Sequence, residues 1–175
     1  VSNEAVETKL AKYDVTPKEF FVLTTEKGHQ LNAWMIKPKN FDATKKYPVF
    51  MFQYSGPGSQ QVANTWNGTN DYWFMMLAQQ GYIVACVDGR GTGFKGAAFK
   101  KCTQKELGKY EVEDQIDAAK VIGKYNYVDA SRIGIFGWSY GGFMSSNCLF
   151  QGAEVFKMAI AVAPVTSWRY YDSIY

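Results

Sequence analysis

Residues that build metal centres and disulfide frameworks are scarce in this chain. Among 175 residues there are one histidine and three cysteines. Cys86, Cys102 and Cys148 have no metal-ligand spacing, so a zinc-type site is excluded. Cys86 falls in an apolar strand segment and Cys148 in a helical one, and both read as packed free thiols. Long hydrophobic runs are also missing: no apolar stretch approaches the ~20 residues of a membrane-spanning helix. An excess of one charge sign is absent too. Lys+Arg 19 against Asp+Glu 16 leaves a net charge of +3. Basic residues crowd only at 95–105, which reads as a solvated loop, not a nucleic-acid surface. No signal peptide is visible, and Val1 is not an initiator methionine, so the true N-terminus is expected elsewhere. Asn67-Gly68-Thr69 is a glycosylation sequon, meaningful only in a eukaryotic secretory setting.

What is present is a chain of one domain's length, 47% hydrophobic and 17% aromatic, with enough apolar surface for a sizeable core. Ser2-Asn3-Glu4 starts a helix with Val6, Leu10 and Tyr13 on one face. Residues 19–24 and 30–36 read as two strands around Lys27-Gly28 and predict an antiparallel hairpin, with His29 in its turn. Residues 48–52 and 83–87 are short apolar strands. Between them a helix is expected, capped by Asn70-Asp71 and running through Gln80 to a stop at Gly81. Val112, Ile116, Ala119 and Ile122 recur at helical spacing, with Glu113, Asp117, Lys120 and Lys124 expected outside. Residues 132–136 read as a buried strand, 141–150 as a helix and 158–162 as another buried strand. Strands alternating with helices after an opening hairpin predict an α/β fold with a mostly parallel sheet.

The stretch that concentrates chemistry is Gly137-Trp138-Ser139-Tyr140-Gly141-Gly142. A G-x-S-x-G pattern between a strand and a helix forces its serine onto a sharp turn with the hydroxyl exposed, which makes Ser139 a nucleophile candidate and the fold an α/β-hydrolase. A plain Gly/Ser turn would lack those flanks. A serine nucleophile needs a base and donors for the oxyanion it creates. In this fold one donor is the backbone N–H after the serine, here Tyr140. The partners follow in the order Ser, Asp, His, yet no histidine follows Ser139, and His29 precedes it in an edge hairpin. The chain is therefore expected to be a piece of a larger enzyme, with a sheet incomplete on its C-terminal side. Gly91-Thr92-Gly93-Phe94-Lys95-Gly96 is a literal G-x-G-x-x-G with Glu111 about 20 residues on. Glu111 opens a helix instead of ending a strand, so dinucleotide binding is disfavoured. Trp168, Tyr171 and Tyr175 are spaced i, i+3, i+7 and are expected on one helix face, as core packing or as a ligand wall at the carboxyl edge of the sheet.

The Gly-Trp-Ser-Tyr-Gly-Gly motif resembles the nucleophile motif of the prolyl oligopeptidase family, in its dipeptidyl peptidase IV branch. Three further stretches match in the family's order: residues 53–60 (Gln-Tyr-Ser-Gly-Pro-Gly-Ser-Gln), 87–93 (Val-Asp-Gly-Arg-Gly-Thr-Gly), and Ala163-Pro164-Val165 with Trp168, Tyr171, Asp172 and Tyr175. The resemblance, covering most of the chain from about Phe20, implies a catalytic-domain fragment of bacterial type from a serine exopeptidase. That enzyme releases N-terminal dipeptides after a penultimate proline or alanine through an acyl-enzyme, without cofactor or metal. It implies that residues 1–13 link a preceding β-propeller domain, absent here, to a catalytic domain that starts at residue 14 and runs to residue 175 and beyond. It implies Tyr54 as the second oxyanion donor, where the residue's own context favours a core-edge tyrosine. It also implies a proline pocket from Tyr140, Val165, Trp168, Tyr171 and Tyr175, with Trp138 on the leaving-group side and the 88–93 loop structural, charge-paired through Asp88 and Arg90. A homodimer acting on peptides with penultimate proline, periplasmic or extracellular and membrane-associated, and not a nucleic-acid binder, completes what the resemblance implies. An acylaminoacyl peptidase or esterase relative, or a non-catalytic interaction protein of the same fold, are the alternatives; the latter typically lacks the serine.

Overall fold

Aromatic and aliphatic runs on either side of Lys27-Gly28 set the first two strands. In the computed structural model, which describes residues 2–13, 15–66 and 68–173, β1 (Glu19–Thr24) and β2 (Gln30–Ile36) form the expected antiparallel hairpin. Gly28 turns it with a φ of 83°, a conformation that a Cβ disfavours. The apolar runs follow as β3 (Tyr47–Phe52), β4 (Ile83–Asp88), β5 (Val128–Trp138) and β6 (Phe156–Val162). One six-stranded sheet results, in the order β1-β2-β4-β3-β5-β6. β2 runs antiparallel to β4, and β4, β3, β5 and β6 are mutually parallel. This mixed sheet with helices on both faces is the α/β-hydrolase arrangement.

Five helices accompany it among the described residues: α1 (Glu4–Leu10), α2 (Thr69–Gln79), α3 (Ala97–Lys101), α4 (Tyr110–Gly123) and α5 (Tyr140–Gln151). Because strand side chains alternate, each strand feeds two cores. Ala33, Met51, Ala85, Ile133 and Ile135 pack with residues of α4 and α5, while Trp34, Phe52, Val84 and Cys86 pack with Phe74 and Ala78 of α2.

Three expectations give way. Asp71 does not cap α2, whose N-cap is Gly68; Asp71 is buried and pairs with Lys18 at 2.8 Å. Asp117 is buried with the inner face of α4, and Glu111, Asp114 and Gln115 join it there. β6 is an edge strand among the described residues, with Met158 and Ile160 44% and 39% exposed. Val6, Leu10 and Tyr13 do share one side, where they line an open cleft of about 810 Å³ with Tyr72 and Met76 of α2.

Candidate active site

Since β3, β4, β5 and β6 are parallel, the loops leaving their C-terminal ends converge on one edge of the sheet, where ligands bind in open α/β folds. β5 ends at Trp138, 61% exposed, and α5 begins at Tyr140. Between them Ser139 takes φ 59° and ψ −114°. A non-glycine residue held there stores about 1–3 kcal/mol of backbone strain, which the surroundings must over-determine. They do. The Ser139 N–H donates to the Val162 carbonyl at 2.9 Å, and the Phe143 N–H to the Ser139 carbonyl at 3.1 Å. A Cβ on Gly137 would lie 2.6 Å from Gln53 Nε2, and one on Gly141 would lie 2.6 Å from the Gln53 carbonyl. Both glycines are needed for that approach.

Gln53 is the residue that sequence reasoning passed over as part of a motif without a role of its own. Fully buried at the exit of β3, its side-chain amide donates to the Gly141 carbonyl at 2.7 Å and to Ser145 Oγ at 3.0 Å. Its backbone N–H reaches the Phe136 carbonyl at 3.0 Å. One glutamine thus stitches the loop after β3 to the turn after β5. Tyr54, half-buried, follows directly, with its ring centroid 6.1 Å from that of Tyr140. The expected nucleophile, the N–H at the start of α5 and the expected second donor therefore lie on adjacent loops.

The glycine-rich 88–93 segment braces this arrangement. Gly58 N–H donates to the Gly91 carbonyl, and Gly93 N–H to the Ser59 carbonyl, both at 2.8 Å. The Asp88 carboxylate accepts from the backbone N–H groups of Gln61 and Val62 at 2.9 and 2.8 Å. Burial pushes its pKa up to about 6, against those two donors, which pull it down. Asp88 is thus held by backbone N–H groups, and the charge pairs of this loop are those of Arg90. Arg90 pairs with Asp114 and Glu113 at 2.7 and 2.5 Å. Burial works to lower its pKa, but those carboxylates outweigh it and hold the guanidinium above its usual range. Glu111 stands in the first turn of α4, not at a strand end where a ribose-binding acid would be, and its Oε1 accepts the Tyr140 hydroxyl at 2.5 Å. Gln115 donates to the Val87 carbonyl at 2.8 Å and to Ser55 Oγ at 3.4 Å.

The aromatic stripe takes another shape than a helix face. Trp168–Tyr170 is a single 3₁₀ turn, and Tyr171 is already extended. Trp168 and Tyr171 still meet edge to face at 5.7 Å, because three residues complete a 3₁₀ turn. Trp168 also packs on Tyr140 at 5.6 Å and Phe143 at 5.3 Å. Tyr140 is 1% exposed, so its ring backs the wall instead of forming its open surface. Val165 is half-buried between β6 and the turn. Tyr175, and Asn67 of the sequon, lie outside the described residues. Beside Trp168 runs an open groove of about 970 Å³, bordered by Pro57, Lys100 and Leu107.

His29 is not brought to this edge loop cluster. β4 and β3 intervene between β2 and β5, which at about 4.8 Å per strand puts His29 roughly 14 Å away. Asp172 is exposed beyond the aromatic turn. Burial raises the thiol pKa values of Cys86 and Cys148, so both stay protonated and unreactive. Among the described residues no three His, Cys, Asp or Glu side chains gather as a metal site, and no helix is long and apolar enough to cross a membrane.

Comparison with known proteins agrees on one relationship. The sequence model of the prolyl oligopeptidase family matches residues 69–175. Over 168 residues the chain is 48% identical to a Trichophyton verrucosum protein named "Probable dipeptidyl-aminopeptidase B", covering 95% of this chain and 18% of that protein. A Paracoccidioides lutzii protein of the same name is 47% identical over 174 residues, covering 99% of this chain and 19% of its own. The crystal structure of Porphyromonas gingivalis dipeptidyl peptidase 4 superposes with a TM-score of 0.95 at 51% identity, over 100% of this chain and 24% of that one. The chain thus spans about a fifth of the length of the curated relatives it matches.

Proposed function

The chain belongs to the prolyl oligopeptidase family, and from that premise we propose that it carries the nucleophile, the oxyanion hole and part of the proline pocket of a serine exopeptidase that releases N-terminal dipeptides after a penultimate proline or alanine. Ser139 Oγ attacks the scissile carbonyl carbon as a base accepts its proton. The oxyanion takes hydrogen bonds from the Tyr140 backbone N–H and the Tyr54 hydroxyl. Collapse of the tetrahedral intermediate breaks the C–N bond, the protonated base returns its proton to the leaving amine, and water then hydrolyses the Ser139 ester by the same steps. The base and its orienting acid are supplied from beyond these residues, since His29 is several strands away. A flat proline ring suits the wall of Trp168 and Tyr171, with Val165 beneath and Tyr175 adding to it. Trp138 flanks the leaving group. In the intact enzyme, residues 1–13 join this domain to a propeller, and the enzyme acts as a homodimer on peptides outside the cytoplasm.

The observation that carries the reading is Ser139 held at positive φ between β5 and α5, with Tyr54 and the Tyr140 N–H on adjoining loops. The test uses the full-length enzyme. Wild type should hydrolyse a Gly-Pro chromogenic substrate and take up a fluorophosphonate label. Ser139→Ala should lose at least ~10³-fold in turnover and all of the label, as expected when a nucleophile is removed, with its melting temperature unchanged. More than a few per cent residual activity would remove Ser139 from the role.

A further inference from the structure

Resting on that reading, we propose that Glu111 is a positioning residue for the oxyanion hole and the proline pocket, acting through the side chain of Tyr140. Glu111 is completely buried, and the nearby guanidinium of Arg90 is taken up by Asp114 and Glu113. A buried carboxylate without a cation is costly, and an apolar residue of similar volume would serve packing better. What Glu111 does make are directed hydrogen bonds: Oε1 accepts the Tyr140 hydroxyl at 2.5 Å, and Oε2 accepts the Gly108 N–H at 3.1 Å. The first lies at the short end of the range for O–H···O bonds.

Tyr140 is the residue it anchors, and two parts of the site depend on Tyr140. Its backbone N–H, the first of α5, is the proposed oxyanion donor. Its ring supports Trp168 at 5.6 Å and Phe143 at 5.4 Å, and Phe143 in turn meets Trp168 at 5.3 Å. Tying down the far end of the ring therefore fixes the side-chain torsions of Tyr140, the start of α5 and the back of the aromatic wall together. A donor to an oxyanion is useful only within a few tenths of an ångström of its place, and a 1 Å misplacement costs about 10²-fold in rate. Helical periodicity marks Glu111 merely as a first-turn acid; the role comes from a partner 29 residues away.

The experiment compares four variants of the full-length enzyme with wild type: Glu111→Gln, Glu111→Leu, Tyr140→Phe, and Glu111→Leu combined with Tyr140→Phe. Each is read by kcat and KM for a Gly-Pro substrate, the fluorophosphonate labelling rate and the melting temperature. Glu111→Gln keeps an acceptor oxygen and should retain most of kcat. Glu111→Leu and Tyr140→Phe should each lower kcat and labelling about 10-fold or more, with KM within about twofold. The double variant restores a matched apolar pair, so its melting temperature should recover while kcat stays near that of the worse single variant, the non-additivity expected of one shared interaction. Should Glu111→Leu fail to fold, Tyr140→Phe alone decides by the same kcat criterion. Recovery of kcat together with melting temperature in the double variant would reduce the pair to a structural role. Unchanged kcat in folded Tyr140→Phe or Glu111→Leu would overturn the proposal while leaving Ser139 as nucleophile. A wild-type enzyme that neither labels nor hydrolyses would overturn both.

Discussion

On the face of the sheet covered by α2, Phe52 and Phe74 meet at 5.0 Å, Trp34 and Phe74 at 5.7 Å, and Phe52 and Phe136 at 5.8 Å. On the face covered by α4 and α5, the end nearest the catalytic loops is filled by Glu111, Asp114 and Gln115, each hydrogen-bonded to a different segment. The same strands supply both faces. Ring packing is strong but weakly directional, so it holds a sheet together without specifying where a loop points. Hydrogen bonds in a dry interior are directional and costly to leave unmade. The face that must place Tyr140, Arg90 and Ser55 uses the second kind, and the face that places no reacting group uses the first.

The largest effect that separates the two faces is expected from Phe74→Ala. It should cost about 3–5 kcal/mol of unfolding free energy, as for other fully buried phenylalanines. Per folded molecule, kcat should change less than twofold, measured by denaturant unfolding beside active-site titration. A large drop in kcat would mean that the α2 face also positions the chemistry. Tyr54→Phe should do the reverse: turnover falls ~10²–10³-fold for loss of one oxyanion donor, while stability and KM hardly move. Turnover near wild type would leave Tyr54 as a core-edge tyrosine.

Smaller effects test the wall. Trp168→Ala or Tyr171→Ala should lower kcat/KM for Gly-Pro more than for Gly-Ala substrates, by about 1–3 kcal/mol, the scale of a mispacked apolar pocket. Equal losses for both substrates would return the pair to core packing.

An effect of comparable size, read in stability and not in turnover, is a pH signature at the rim of the α2 face. The pKa of Asp88 is raised by burial to about 6 from 3.8. Between those values the folded state holds more protons than the unfolded one, so this group's contribution is fully present below pH ~4 and is lost as pH rises through ~6. Asp88→Asn should remove that component, on the order of 1–3 kcal/mol across the window. The difference between wild-type and variant stability, measured at each pH from 4 to 7, isolates it from the other carboxylates. A difference that does not vary with pH would show that Asp88 is ionised throughout.

Much of the fold is legible in the sequence where a local pattern decides the outcome. β1 and β2 follow from aromatic and aliphatic runs about a turn glycine, and the Ser139 turn from its own glycines and flanks. The failures share a cause. Asp117 reads as a surface acid because periodicity counts charge as exposed, and Asp71 reads as a cap because local pattern cannot show a distant partner, here Lys18. The spacing of Trp168 and Tyr171 identifies a contact but not its backbone, since i and i+3 coincide in α and 3₁₀ turns alike. The β6 run reads as buried from its composition, and its exposure follows from its having no further strand beside it among the described residues.

The fit of Gly137 and Gly141 against Gln53 carries a mechanical consequence. With no room for a methyl group between the β3 exit and the start of α5, and with Gln53 bonded across the gap, these two segments cannot slide past one another. Under the proposed function, Ser139 and Tyr54 are then expected to move together as one body. An opening that admits a peptide would have to lie elsewhere in the molecule, and slow amide hydrogen exchange at residues 53 and 139, whose N–H groups donate to the Phe136 and Val162 carbonyls, would be the mark of that division.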